Sequence, residues 1–334
     1  MLTKEVWNLT EQDFPGTAPI ELQLRFLVGY AILAPSVRNS QPWSFAVQGN
    51  RVDLRADVAR GLPVADPDQR ELYISLGCAL ENLLVAAEHF GFRHEVSYFP
   101  DSSSAKLAAT IDFAPGGVRS PSREGIALEA ILARHNDNSV FHPIAVPPAV
   151  CRCLQACQAD PDPRFDLTED PLFCRWVERF TLDADRREFA DPEFRNEVAH
   201  WIGHGGLSSP PLLARIGSFA VSRFNLGESA ARQDHRIVES AALLGVISTA
   251  GDTHLDHIRT GQLFERIWLT ATTMGVAVHP MSQTMRRPES RSAIADLLPK
   301  TGCIPQHLFR IGYSSREAPR FTPRRPVEEA LGEH

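Results

Sequence analysis

Two glycine-bounded apolar runs, 184 positions apart, constrain this chain more than any other feature. With Gly91 set against Gly275, GCALENLLVAAEHFG (77–91) lies over GQLFERIWLTATTMG (261–275). Gly, Glu, Ala and Gly then coincide at 77/261, 81/265, 87/271 and 91/275. The segment 75–92 is apolar nearly all round, broken only by Glu81-Asn82 and Glu88-His89. Such a helix has little solvent face and must be buried on most sides. Strand-like sequence follows each run, and a final strand comes later in both portions. The expectation is a duplicated α+β unit, with halves at 1–120 and 121–334 and a repeat boundary near 115–125.

The remaining pattern fits that frame. IELQLRFLVGYAILAP carries Leu24, Leu27, Val28 and Ala31 on one stripe and reads as an amphipathic helix stopped near Pro35. WSFAVQGNRVDLRAD alternates about Gly49-Asn50, a hairpin signal. HEVSYF, LAATIDFAP, ESAALLGVIST and QHLFRIGYS read as strands, and REGIALEAILARH as a helix ending at 134–135. Residues 170–235 read as helical, polar and interrupted. The glycines and prolines of 203–211 make 180–225 a candidate cover over a site rather than core.

Composition removes several function classes. The net charge of −7 argues against a general nucleic-acid binder, which concentrates basic charge to displace counterions. No run approaches membrane-span length, and MLTKEVWNLTEQDF lacks the apolar core of a signal peptide, so a cytoplasmic location is expected. Lysine occurs only at 4, 106 and 300, leaving 31 of the 34 basic residues as arginine. Arginine's planar donor fork suits phosphate. Six cysteines are present without a CxxC pair; Cys151, Cys153 and Cys157 cluster, but four ligands at metal spacing are missing, and no metal is expected.

No GxGxxG opens a helix, and Walker A, GxSxG and HExxH motifs are absent. What stands out is APSVRNSQPW (34–43), too polar for an ordinary connector between a proline-marked helix stop and a tryptophan-led strand. Arg134 at a helix end, HPMSQ (279–283) and TPRRP (322–326) join it.

At these residues the chain resembles the nitroreductase superfamily of FMN proteins. APSVRNSQPWSFAV is similar to the segment whose Ser and Asn reach the flavin of the neighbouring subunit. The two long apolar runs resemble the family's central helix with its Gly exit, ARHNDNSVFHPIAVP resembles the opening Arg segment, and PQHLFRIGY with TPRRPVEE resembles the last core strand and basic tail. The order is inverted: APSxxNxQPW comes first and the Arg segment opens the second half. That order resembles the Acg-type subgroup, two nitroreductase halves fused in one chain. The resemblance implies an α+β, nitroreductase-like fold whose two fused halves form an internal pseudo-dimer. Further dimerisation of that monomer is left open.

It also implies an FMN site at the seam, built from Pro35, Ser36, Arg38 and Asn39, from Arg134, Asn136 and Asn138, from Pro280, Met281, Ser282 and Gln283, and from Arg324 and Arg325. Arg134 with Arg324 or Arg325 can take the phosphate. Asn39 and Asn138 can donate to the ring near N1 and O2, and backbone at Ser282 or Gln283 lies beside N5. Where the family has Arg-x-Ser/Thr-x-Arg, this chain has Arg134-His135-Asn136-Asp137-Asn138, losing a cation and adding Asp137; Gln283 replaces a frequent Gly. The second half has no copy of APSxxNxQPW, so one flavin per chain is expected. The implied activity is ping-pong transfer from NAD(P)H through FMN to a small electron-poor acceptor, with no protein residue required as acid or base. The competing expectations are a flavin-sequestering protein with a closed cover, and a protein that has lost the cofactor.

Overall fold

A computed structural model gives the fold and describes residues 2–101, 103–206, 211–299, 302–316 and 321–332. The first portion runs α1 (Ile20–Ala31), β1 (Trp43–Gln48), β2 (Arg51–Ala56), α2 (Arg70–His89), β3 (Phe92–Tyr98) and β4 (Leu107–Pro115). Its four strands form one antiparallel sheet in the order β1-β2-β4-β3. The hairpin turns at Gly49, whose φ of 57° suits a residue without a Cβ, and Gln48 pairs with Arg51 across it.

The second portion begins with α3 (Glu129–Ala133), β5 (Phe141–His142), α4 (Pro148–Gln155) and β6 (Arg164–Thr168). Four helices follow: α5 (Pro171–Ala190), α6 (Pro192–Trp201), α7 (Pro211–Arg223) and α8 (Gly227–Glu239). Then come β7 (Leu243–Thr249), α9 (His254–Thr273), β8 (Ala277–Pro280), α10 (Ser282–Met285), α11 (Pro288–Leu297), β9 (Ile304–Ser314) and α12 (Val327–Ala330). The second sheet has the order β5-β9-β7-β6, with β8 also on β9, every pairing antiparallel. The fold class is therefore α+β. β5 is two residues long, too short to show alternation, and β6 alternates over only the five residues RFDLT. They are edge strands set by pairing to β9 and β7.

One core joins the two portions. It runs without a break from α1 and the first sheet through α2 and α9 to β7 and β9. The two apolar helices meet at their matched glycines. A Cβ on Gly77 would lie 2.1 Å from the Ile258 carbonyl oxygen, and one on Gly261 1.9 Å from that of Ile74. These contacts exchange under the same offset of 184, as an approximate two-fold relation requires. The matched glutamates repeat the pattern. Glu81 takes Arg266 (Nε–Oε1 2.8 Å) and Arg123 (2.6 Å). Glu265 faces Asn82, with the Asn82 amide oriented to donate to it at 3.0 Å, and Arg134 at 3.2 Å. Arg266 and Asn82 themselves stand at matched positions, so each glutamate turns to the same place on the other helix.

The segment expected to be a cover is helical over 180–201 and carries its own small core. Phe194, Val198 and Trp201 sit one turn apart on α6 and bury against Leu62 and Ala65 of the first portion. A π-type turn at Ile202–Gly206 follows; residues 207–210 of the expected cover lie outside the described residues. No helix among the described residues is long and apolar enough to cross a membrane. No group of three metal-ligating side chains occurs among them either.

Candidate functional site

A cavity of about 740 Å³ opens between the two portions. Its wall takes residues from four separated stretches: the loop after α1, the segment after α3, the β8–α10 junction, and the tail before α12. Of the residues singled out from sequence, Pro35, Ser36, Arg38, Asn39, Arg134, Asn136, Asn138, Pro280, Ser282, Gln283 and Arg324 all line it. Two do not. Met281 is 1% exposed and packs in the second apolar cluster with Met285 and Leu308, because β8 ends there and alternation turns its side chain inward. Arg325 also stands off the wall: its donors go to the carbonyls of Gln41, Trp43 and Glu329. Of the two tail arginines, only Arg324 is a candidate phosphate ligand.

The polar loop 34–43 owes its composition to the tail that docks on it. Arg38, Asn39 and Gln41 have φ of 56°, 56° and 52°, left-handed values costly for side chains other than glycine. Side-chain bonds hold the strained turn: the Ser36 hydroxyl accepts from the Gln41 N–H (2.9 Å), and Gln41 Oε1 accepts from the Arg325 N–H (2.8 Å). Asn39 Nδ2 donates to the Pro323 carbonyl (2.8 Å), while its Oδ1 accepts from Arg324 (2.8 Å). The Asn39 amide therefore orients the tail. Arg324 also donates to the Leu33 and Ala34 carbonyls, and its guanidinium lies 4.9 Å from the Trp7 ring centroid.

Arg134 is 2% exposed, donates to the Leu33 carbonyl (2.7 Å), pairs with Glu265 and lies 4.6 Å from the Trp268 ring centroid. Burial pushes its pKa down, with Glu265 opposing. Burial also lifts Glu265, to about 7, against the pull of Arg134 and with Glu81 adding to the rise. Arg134 therefore supports the wall, with one N–H on the Leu33 carbonyl and its Nε turned to Glu265. Beside it, Asn138 Oδ1 accepts from Arg316 (3.0 Å), and Asn136 Oδ1 lies 2.7 Å from His279 Nδ1. Arg316 went unnoticed in the sequence because it lies past the last strand, outside every motif; nothing in its neighbours marks it.

A second cluster gathers at α2 and α10. The Ser282 hydroxyl donates to Glu71 Oε2 (3.2 Å), and Glu71 Oε1 meets Arg70 (2.8 Å). His307 is 3% exposed, neither ring nitrogen has a hydrogen-bond partner among the described residues, and its ring centroid lies 4.2 Å from that of Phe264. Burial pushes its pKa down to about 4, so the ring is neutral at pH 7. Between the clusters the wall is apolar, formed by Ile74, Phe264 and Trp268 with the buried Cys78. The Cys78 thiol donates to the Gly261 carbonyl (3.3 Å), and burial, with Glu265 adding, raises its pKa, making it a poor nucleophile.

The covering helices close part of the wall with Asp185, Glu188, Phe189, Trp201 and Ile202. They are tied down at both sides. Glu197 accepts from the N–H groups of Val64 (2.8 Å) and Ala65 (3.0 Å), and Glu188 accepts from Arg286 (2.5 Å).

No family model matches the chain. In sequence it is related to Acg-type proteins over nearly its whole length. It is 27% identical to "Putative NAD(P)H nitroreductase acg" of Mycobacterium tuberculosis, covering 95% of this chain and 97% of that one. It is 23% identical to "Probable NAD(P)H nitroreductase PigM" of a Serratia species, covering 93% of each. Among solved structures it matches the FMN-dependent nitroreductase NfnB of Mycobacterium smegmatis in complex with NADPH. That match has 14% identity, 62% of this chain, 96% of the other and a TM-score of 0.42. A nitroreductase structure from Anabaena variabilis matches at 10% identity, 84% and 82% coverage and a TM-score of 0.40.

Proposed function

We propose that this chain, kin of the Acg-type nitroreductases, is an FMN-dependent NAD(P)H oxidoreductase. In this reading its two fused halves form an internal pseudo-dimer around one flavin. The carrying observation is the convergence of residues 35–39, of 134–136 with Asn138, of Pro280, Ser282 and Gln283, and of Arg324 on one cavity at the seam. The donor set suits the cofactor. Arg316 and Arg324 present guanidinium groups for a phosphate of nearly two charges, beside Asn138. Ile74, Phe264 and Trp268 offer apolar surface to a planar ring, and Ser282 and Gln283 sit where α10 begins. Bound there, FMN would accept a hydride from NAD(P)H and pass two electrons to a small electron-poor acceptor, in ping-pong order. The chain's own residues bind and orient: Arg134 and Asn39 fix the wall that carries Arg324, and the covering helices exclude water.

Purified protein should be yellow, or take up added FMN with saturation. Mixed anaerobically with NADH or NADPH, its flavin band should bleach within seconds. A colourless protein that takes up no FMN would overturn the reading.

A second reading is favoured by one observation: helices α5 and α6 are bonded down on both sides of the cavity rather than left loose. A cover held this way suits a flavin-sequestering protein with little turnover. Persistence of the band for many minutes after NADH addition selects it.

A further inference from the structure

Arg38 is a cation on the cavity wall with no hydrogen bond among the described residues. Arg134, Arg286, Arg316 and Arg324 on the same wall all donate to protein acceptors. Arg38 has only ring contact: its guanidinium lies 5.6 Å from the centroid of Phe194, on the covering helix α6. Three carboxylates lie near enough to act on it electrostatically, and two of them have named partners elsewhere. Glu188 takes Arg286, Glu197 takes the N–H groups of Val64 and Ala65, and Asp185 is not free either. Their charge balances Arg38 and Arg286 at a distance, so the open demand is for acceptor atoms rather than for bare charge. A guanidinium presents paired parallel N–H groups, and the acceptor that matches them is a planar pair of oxygens. The backbone adds weight. Arg38 is held at a φ of 56°, which arginine adopts at a cost and which the bonded loop around it enforces.

We propose that Arg38 is a specificity-determining residue whose unengaged guanidinium takes the carboxylate of the molecule that enters beside the cofactor. The position of that molecule rests on the function proposed above; the carboxylate preference itself does not. The test uses benzoate and benzamide, which share size and shape and differ in charge and in one oxygen. Binding to the full chain is measured by calorimetry at low salt, on FMN-loaded protein and on protein without added FMN.

Benzoate is expected to bind at least tenfold more tightly than benzamide. Asparagine tolerates a left-handed backbone, so Arg38→Asn keeps the loop. It should bring the two affinities within about threefold, chiefly by weakening benzoate. Equal affinities in the wild type, or a preference that survives Arg38→Asn, overturn the proposal. The latter would place the carboxylate at Arg316 and Arg324 instead. Should Arg38→Asn lose both ligands, Arg38→Lys decides: a reduced but measurable benzoate preference supports the assignment, and none overturns it. FMN uptake, measured separately, judges the cofactor reading, so the two failures are told apart.

Discussion

Arg134 and Arg324 look interchangeable as cations in the sequence, yet their partners give them different jobs. Arg134 faces Glu265, which is fully buried, so removing the guanidinium leaves a carboxylate without its cation. Breaking a buried pair in this way costs about 3–5 kcal/mol where the survivor stays charged. Glu265 can escape by taking up a proton. Its folded pKa is raised to about 7, so the folded state binds more protons than the unfolded one. Its contribution to stability is present below the ordinary carboxyl range and lost as pH rises through about 7. Arg134→Ala should therefore destabilise strongly at pH 8 and much less at pH 5.5, read from urea midpoints at both. A loss independent of pH would mean that Glu265 does not carry it. Arg324 is different: Arg324→Ala should weaken FMN retention by about 1.5–3 kcal/mol, the worth of a charge-assisted hydrogen bond. Flavin fluorescence on dilution gives the number, and circular dichroism must first show that the loop at 33–39 is intact.

At the level of elements, the contact between α2 and α9 is the least forgiving in the molecule. The atom facing a new methyl at Gly77 is a carbonyl oxygen inside a helix, and it cannot swing aside as a side chain would. Gly77→Ala and Gly261→Ala should each cost about 3 kcal/mol or more, at or beyond the upper end for overpacking. Soluble, native-like variants with unchanged urea midpoints would contradict the close approach. These glycines were legible in the sequence because identical residues recur at one offset and bound apolar runs. The loop 34–43 was legible as a site for a similar reason: its polarity had no local use. The tail that uses it docks from almost 300 residues away. Arg316, His307 and Glu71 were not legible. They reach the cavity only after the second sheet pairs β9 with β7 and α2 packs on α9, and long-range pairing leaves no mark beside a residue. The partners that fix the covering helices were not legible for the same reason. Their buried stripe at 194, 198 and 201 meets Leu62 and Ala65, whose sequence neighbourhood gives no hint of a partner. Trp201→Ala should loosen that contact, and limited proteolysis after α6 should become faster while the rest of the chain stays resistant.

For the whole molecule, the unbroken core implies that the two sheets do not unfold separately. Heating should give one transition followed alike by far-ultraviolet signal and tryptophan fluorescence, since Trp43 lies in the first sheet and Trp268 on α9. A ligand bound at the seam must then stabilise both sheets together. At 100 times its dissociation constant, FMN should add about 2.7 kcal/mol. Spread over the unfolding entropy of a chain this long, that is a rise of about 4 °C in the midpoint. The form of the shift matters more than its size. If FMN moves a single transition upward, the cavity belongs to both portions. If it splits the melt, raising one step and leaving the other in place, the flavin is held by one portion alone, and the shared seam is not its site.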